Sequence, residues 1–383
     1  MSETIHDLVE PVRHLPFEPR QEPTTGTAIC LSGGGYRAML FHTGVLRRLC
    51  QTRWLQQADR ISSVSGGSIT AAILALTWSK VTTSSDPDAA FVEQVEAPIR
   101  ALAARTIDRS AVVSGLLSPF SSIGEEVEGE LRRHLLGTAT LADLPAKPVF
   151  VFNATNTGSG KLVRFTHDGV ADWRVGRNLD PTVRLSAAVA ASAAFPPFLS
   201  PFRLAMDEAA WVDDKGNDLG TRKYRDEFAL TDGGVYDNLG LETAWKRCRT
   251  VFVSDAGGLL SPEPDPASDW ARHMVRITQV LDHQVRSLRK LQVVQSLKDR
   301  RRDGAYVGIR SDIKKYKLGD CLDAPLDATT ELAEIGTRLK ALPDRDQERL
   351  INWGYAVADA GLRAHIDHSL PAPTGYPYAR GVS

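Results

Sequence analysis

A chain of 383 residues, 42% hydrophobic and 24% charged, has enough apolar content to bury a substantial core, which excludes a wholly disordered or fibrous protein. Its 46 Lys and Arg residues against 47 Asp and Glu leave a net charge of −1, so no global field favours nucleic acid and no such partner is expected. The four cysteines, Cys30, Cys50, Cys248 and Cys321, form no CxxC pair and read as neither a zinc motif nor a disulfide framework.

Residues 1–25 are polar and proline-bearing, and they read as an N-terminal arm. They contain no basic stretch followed by an apolar one, so no secretory signal is expected. The longest apolar stretches, such as Ile69 to Trp78, fall well short of the roughly 20 residues a membrane span needs. A cytoplasmic protein is expected, one that meets membranes, if at all, only from the side.

Regular structure begins with a short apolar run, Thr27 to Ser32, which ends in Gly33-Gly34-Gly35 and leads into a helix from Tyr36 to Cys50. The same grammar repeats: a strand from Arg60 to Val64, a turn at Ser65-Gly66-Gly67, and a helix through Ile69 to Trp78. Strand, glycine turn, helix, strand predicts a parallel α/β sheet. Residues 85–140 read as a helical insertion broken by the apolar stretch Ala111 to Phe120. That stretch suits either ordinary packing or a lid. Pro148 to Phe152 and Thr250 to Ser254 are β-branched and aromatic, as strands covered on both faces are. Lys161 to Phe165 and Phe228 to Thr231 read as shorter strands, and Met206 to Phe228 as a solvated excursion. The expected fold is α/β, with three α/β/α layers around a mainly parallel central sheet. Residues 26–300 form its domain, and 301–383 a helical segment packed on it that includes Leu350 to Tyr355.

The segment from Trp270 to Arg302 reads as one long helix with nine basic residues against Asp282 and Asp299. Its apolar positions Trp270, Met274, Ile277, Leu281, Leu288 and Leu291 fall largely on one face. Two readings follow. The blander is a helix that packs its apolar face on the core and solvates its basic one; the other is a basic amphipathic helix resting on anionic lipid.

Three positions carry chemistry. In Ser63-Val64-Ser65-Gly66-Gly67, a serine sits on a sharp strand-to-helix turn, where its hydroxyl stands at the top of the sheet. Ser63 takes the place of the first glycine of the G-x-S-x-G elbow. Upstream, Gly33-Gly34-Gly35 can turn backbone N–H groups toward an anion. No Gly-Lys-Ser/Thr ending or G-x-G-x-x-G spacing accompanies them, so an oxyanion hole fits better than a phosphate loop. Downstream, Asp232 in Asp232-Gly233-Gly234 ends a strand, and Asp255 in a similar context is the rival carboxylate. The later histidines, His273, His283, His365 and His368, sit on no glycine-bounded loop after a strand, so packing or surface roles are expected for them.

Taken together, these pieces resemble the patatin-like phospholipase family. Gly33-Gly34-Gly35-Tyr36-Arg37 is similar to its oxyanion loop, Ser65 to its nucleophile, and Asp232-Gly233-Gly234 to its catalytic aspartate. Ala190-Ala191-Ser192-Ala193-Ala194-Phe195-Pro196-Pro197-Phe198 is similar to its small-residue and proline block. The resemblance implies a Ser65–Asp232 dyad with no histidine, oxyanion donors at Gly33 to Gly35, and support from Gly66, Gly67 and Arg37. Arg37 is expected to act mainly as a structural brace. No metal or other cofactor is implied. The expected activity is hydrolysis of lipid carboxylic esters, as a phospholipase A or lysophospholipase. Soluble acyl esters or thioesters are the alternative substrates, and a silent binding module is the alternative in kind. The sequence leaves the oligomeric state open.

Overall fold

In the computed structural model, which describes residues 23–107, 123–197, 199–213 and 216–383, the first apolar run becomes strand β1 (Thr27–Leu31). Its last four residues are fully buried, which is why the run carries no polar alternation. Helix α1 (Gly35–Gln51), strand β2 (Arg60–Ser63) and helix α2 (Gly66–Thr82) follow. β1 and β2 pair in parallel. Helical residues 87–103 pack against α1 and α2. The apolar stretch Ala111 to Phe120 and most of the N-terminal arm lie outside the described residues.

Strand β3 (Val149–Asn156) extends the parallel set beside β2. The chain then turns back on itself through β4 (Lys161–Thr166), β5 (Gly169–Asp172) and β6 (Gly176–Asn178), all antiparallel. Helix α3 (Leu185–Ser192) leads to β7 (Phe202–Ala205), the two-residue β8 (Trp211–Val212) and β9 (Glu227–Asp232). The solvated excursion thus contributes β8 to the sheet edge, paired with β6. Strand β10 (Thr250–Asp255) returns to the middle of the sheet, parallel to β1. Among the described residues the result is one 11-stranded sheet with a parallel centre, in which a last strand, β11 (Asp303–Gly308), gives the order β11-β10-β1-β2-β3, and an antiparallel wing.

One consequence of this order places the site. β2 pairs with residues 149–152 of β3, whereas β9 pairs antiparallel with Ala154, Thr155 and Asn156. The two strands therefore approach each other head-on, with Ser63 opposite Phe152 and Asp232 opposite Ala154. Those β3 positions are two residues apart, roughly 7 Å along a strand. The turn after β2 and the end of β9 must meet.

Residues 301–383 depart from a purely helical segment. They open with a sheet strand, β11 (Asp303–Gly308), parallel to β10. Asp303, Gly304 and Gly308 fill half of its six residues and leave it little apolar signal. Beyond it, helix α5 (Asp344–His365) lies along α1 and buries Trp353 completely. Arg48 of α1 donates to Asp359 of α5 at 2.7 Å, and Arg363 donates to the same carboxylate at 3.0 Å.

Helix α4 (Trp270–Lys298) overturns the blander reading of its segment. Its polar side faces the protein. Arg286 donates to the Gly258 carbonyl at 2.9 Å, Arg289 to Glu242 at 2.9 Å, and Asp282 accepts from Asn238 at 3.3 Å. The apolar stripe faces outward, with Trp270 82%, Leu281 61% and Leu288 56% exposed. A periodic pattern shows that a helix has two faces; which of them meets the body was decided here by specific polar partners.

Candidate active site

Ser65 stands between β2 and α2 with φ at 52°, a backbone region that costs a non-glycine residue about 1–3 kcal/mol unless its surroundings enforce it. The surroundings do so through a directed chain of hydrogen bonds. The Ser65 N–H donates to Ser192 Oγ at 3.0 Å. The Ser192 hydroxyl meets Ser68 Oγ at 2.8 Å, Ser68 donates to Ser63 Oγ at 3.0 Å, and Ser63 donates to the Val151 carbonyl at 3.2 Å. Ser63, the departure from glycine in the elbow, thus anchors the turn to β3. Gly66 is required by close approach, since a Cβ there would stand 2.1 Å from the Gly35 carbonyl oxygen.

The small-residue block holds the other half. Asp232 N–H donates to the Ala194 carbonyl at 2.9 Å, and Thr155 donates to the Asp232 carbonyl at 2.9 Å. One short segment, Ser192 to Ala194, therefore fixes both the serine turn and the aspartate. Its sequence signal was only smallness; Ser192 had no assigned role. The end of that block, Phe198, lies outside the described residues.

Ser65 and Asp232 lie on the wall of one cavity, and the Asp232 Oδ1 accepts from the Gly234 N–H at 2.7 Å. Asp232 is 3% exposed. Burial pushes its pKa up to about 7; the Gly234 N–H and the Ser65 hydroxyl oppose the rise, and the charge of Asp282 adds to it. A carboxylate with its pKa near neutrality can accept a proton at working pH.

The rival carboxylate is occupied elsewhere. Asp255 accepts from the Tyr306 hydroxyl at 2.5 Å and from the Gly257 N–H at 2.8 Å. His283 lines the same cavity as Ser65, but among the described residues no hydrogen bond joins it to Ser65 or Asp232. Burial and Arg286 lower its pKa. His365 stacks near Tyr316 and His368 bonds the Arg363 carbonyl, and His273 is exposed on α4. The histidine nearest the oxyanion loop in sequence is one the motifs passed over. His42 is completely buried, with Nε2 2.9 Å from the Ser32 carbonyl oxygen and Nδ1 2.8 Å from Ser254 Oγ. A carbonyl only accepts, so Nε2 carries the proton; burial lowers the pKa to about 4 and keeps the ring neutral. It braces the end of β1 against β10.

The three glycines do not behave alike. The Gly33 N–H is bound to Asn238, lying 3.1 Å from both its backbone and its side-chain oxygen. Among the described residues no group accepts from the N–H of Gly34 or Gly35. Gly35 has φ at 61° and opens α1, so these two amides lie at a helix N-terminus. Arg37 is 2% exposed. It donates to the Ala256 carbonyl at 3.1 Å, to Thr337 Oγ1 at 3.0 Å and to the Ile335 carbonyl, so it pins the 335–337 loop beside the cavity. Asn238, which sequence reasoning missed, links the glycine loop to Asp282 on α4.

All of this borders a cavity of about 540 Å³, within the size range of small-molecule sites. Ser65, Asp232, Gly33 and Gly34 lie on its wall, and α4 supplies one side through Leu281 and Asp282.

A family model described as patatin-like phospholipase matches residues 29–245, more than half of the chain. Among solved structures, human GIVD cytosolic phospholipase A2 is similar at 12% identity with a TM-score of 0.47, over 89% of this chain and 62% of that one. Its complex with methyl gamma-linolenyl fluorophosphonate and terbium chloride gives 14% identity and a TM-score of 0.49, over 89% and 58%. VipD from Legionella pneumophila gives 16% identity and a TM-score of 0.35, over 90% and 67%. The chain thus spans about three fifths of the human chains it resembles. A search of curated proteins found no match.

Proposed function

The chain belongs to the patatin-like phospholipase family, and from that premise we propose that it is a serine acyl hydrolase of lipid carboxylic esters, acting through Ser65 and Asp232. Family membership supports lipid acyl hydrolysis in general. The observation that carries the finer reading is that Ser65, on its strained turn, shares a cavity wall with a buried carboxylate whose pKa is raised to about 7.

The mechanism runs in two halves. As Ser65 Oγ attacks the ester carbonyl, its proton passes to Asp232. The carbonyl oxygen becomes an oxyanion that the N–H groups of Gly34 and Gly35 can hold, with the α1 N-terminus behind them; donors of this kind are worth about 2.7–4 kcal/mol each in the transition state. Gly33 serves the loop by its bond to Asn238. Protonated Asp232 then returns the proton to the departing alcohol or lysolipid, leaving an acyl-Ser65. Water attacks that ester, Asp232 takes the water's proton and passes it to Ser65 Oγ as the acyl–Ser65 bond breaks, and the fatty acid leaves. Each half begins and ends with the same protonation states.

Fluorophosphonate labelling of the wild type and Ser65→Ala tests this, with phospholipid, lysophospholipid, short-chain ester and thioester panels alongside. Labelling is expected in the wild type and absent in Ser65→Ala. Retained labelling in the variant would remove Ser65 as nucleophile, and turnover of soluble esters alone would move the substrate to the esterase class. A wild type that is neither labelled nor active on any panel would reduce the chain to a binding module.

A further inference from the structure

Seven of the twelve large apolar side chains that stand exposed among the described residues lie on α4, so exposure of this kind is concentrated on one helix. At 100° per residue, Trp270, Met274, Ile277, Leu281 and Leu288 fall within a sector about 60° wide. Solvent-facing apolar stripes of that length mark interaction sites. The stripe runs into the catalytic cavity, because Leu281 belongs to both, and the exposed Val235 and Leu259 line that cavity as well.

Charge narrows the occupant. Within α4 the exposed ionisable residues are Arg272, His273 and Lys298. The helix's one carboxylate, Asp282, is turned in toward Asn238. At the two ends, Asp269 pairs with Arg272 and Asp299 with Arg301. A stripe of leucines, methionine and tryptophan without an exposed carboxylate along it suits the interface of a lipid bilayer. A second copy laid antiparallel on the stripe would cover the cavity mouth. Among the described residues no helix is long and apolar enough to cross a membrane, so the contact would be lateral.

We propose that the outer face of α4 docks on a phospholipid surface, with its apolar stripe among the acyl chains and Arg272 and Lys298 at headgroup level, which sets the cavity mouth against the bilayer. This rests on the acyl-hydrolase reading for its purpose, though not for its measurement.

The test uses the Ser65→Ala chain, so that hydrolysis cannot alter the vesicles, in co-sedimentation with phosphatidylcholine vesicles with and without phosphatidylserine. Binding is expected to both, tighter with the anionic lipid. A blue shift of tryptophan emission is expected on binding and should vanish in Trp270→Phe. Met274→Glu with Leu288→Glu should weaken binding about tenfold or more, while the same pair with Ser65 intact keeps wild-type rates on a short-chain ester. Vesicle binding unaffected by the pair, or no binding by a monomeric wild type, overturns the proposal. So does a concentration-dependent dimer that the pair abolishes, because the face then belongs to a second copy. Ester turnover without vesicle binding removes the docking surface and leaves the hydrolase; vesicle binding without any ester turnover does the reverse.

Discussion

The β2–β9 junction and helix α4 obey opposite rules. At the junction polar groups are buried and have designated partners: Ser65 N–H on Ser192, Asp232 on Gly234, Ser63 on Val151. On α4 Asp282, Arg286 and Arg289 are also turned inward, but seven large apolar side chains are left outside. Buried polar networks fix geometry because a missing partner costs the full desolvation of the group left behind. An exposed apolar stripe fixes nothing inside the protein. Changes at the junction should therefore alter chemistry or stability, and changes on the stripe should alter neither.

Replacement of the base makes the sharpest test of that contrast. Asp232→Asn should lower kcat on a short-chain ester by about 10²–10⁴-fold, the range of general-base contributions. Asp255→Asn should leave kcat within a few-fold and instead lower stability through Tyr306. If steady-state kinetics show the reverse, the two carboxylates exchange roles.

Next in size is the pH profile. With Asp232 near 7, kcat/KM should fall about tenfold per pH unit below neutrality and level off above it. The stability effect has the opposite sense. A carboxyl with a raised pKa binds its proton more tightly in the folded chain, so between roughly pH 4 and 7 stability should fall as pH rises, by a few kcal/mol in total. Denaturant titrations of Asp232→Asn across that window should lose this slope. A slope that persists would place the titrating group elsewhere.

Ser192→Ala should cost about 1–3 kcal/mol by leaving the buried Ser65 N–H without an acceptor, measured by urea unfolding, together with a drop in kcat at near-constant KM. Smallest of all, Leu291→Ala on the outer stripe should change stability by no more than about 0.5 kcal/mol. A larger loss there would mean that the stripe is covered in the folded protein.

The legible parts of the molecule are those whose cause is local. The strand–glycine–helix units around Gly33 and Ser65, and the strands carrying Phe150, Asp232 and Phe252, announce themselves through runs and turns a few residues long. Asp232 could be named beside Asp255, but choosing between them takes the tertiary fact that Tyr306 already holds Asp255. Gly33, Gly34 and Gly35 look equivalent as letters; only the distant Asn238 separates the first from the other two. α4 is the clearest case. Its period shows in the sequence, but the side it presents depends on Gly258, Glu242 and Asn238, which no window around residue 280 contains.

The meeting of β2 and β9 on one edge of β3 also bears on when the chain can act. Ser65 is synthesised early, but its turn is completed only when Ser192 reaches it after β1 to β3 have paired. Its base comes from a strand made much later, after the antiparallel wing, and closing so long a loop is among the slower events in folding. A nascent or half-folded chain would hold its nucleophile without a partner. Under the proposed Ser65–Asp232 mechanism, activity would then begin only as β9 docks.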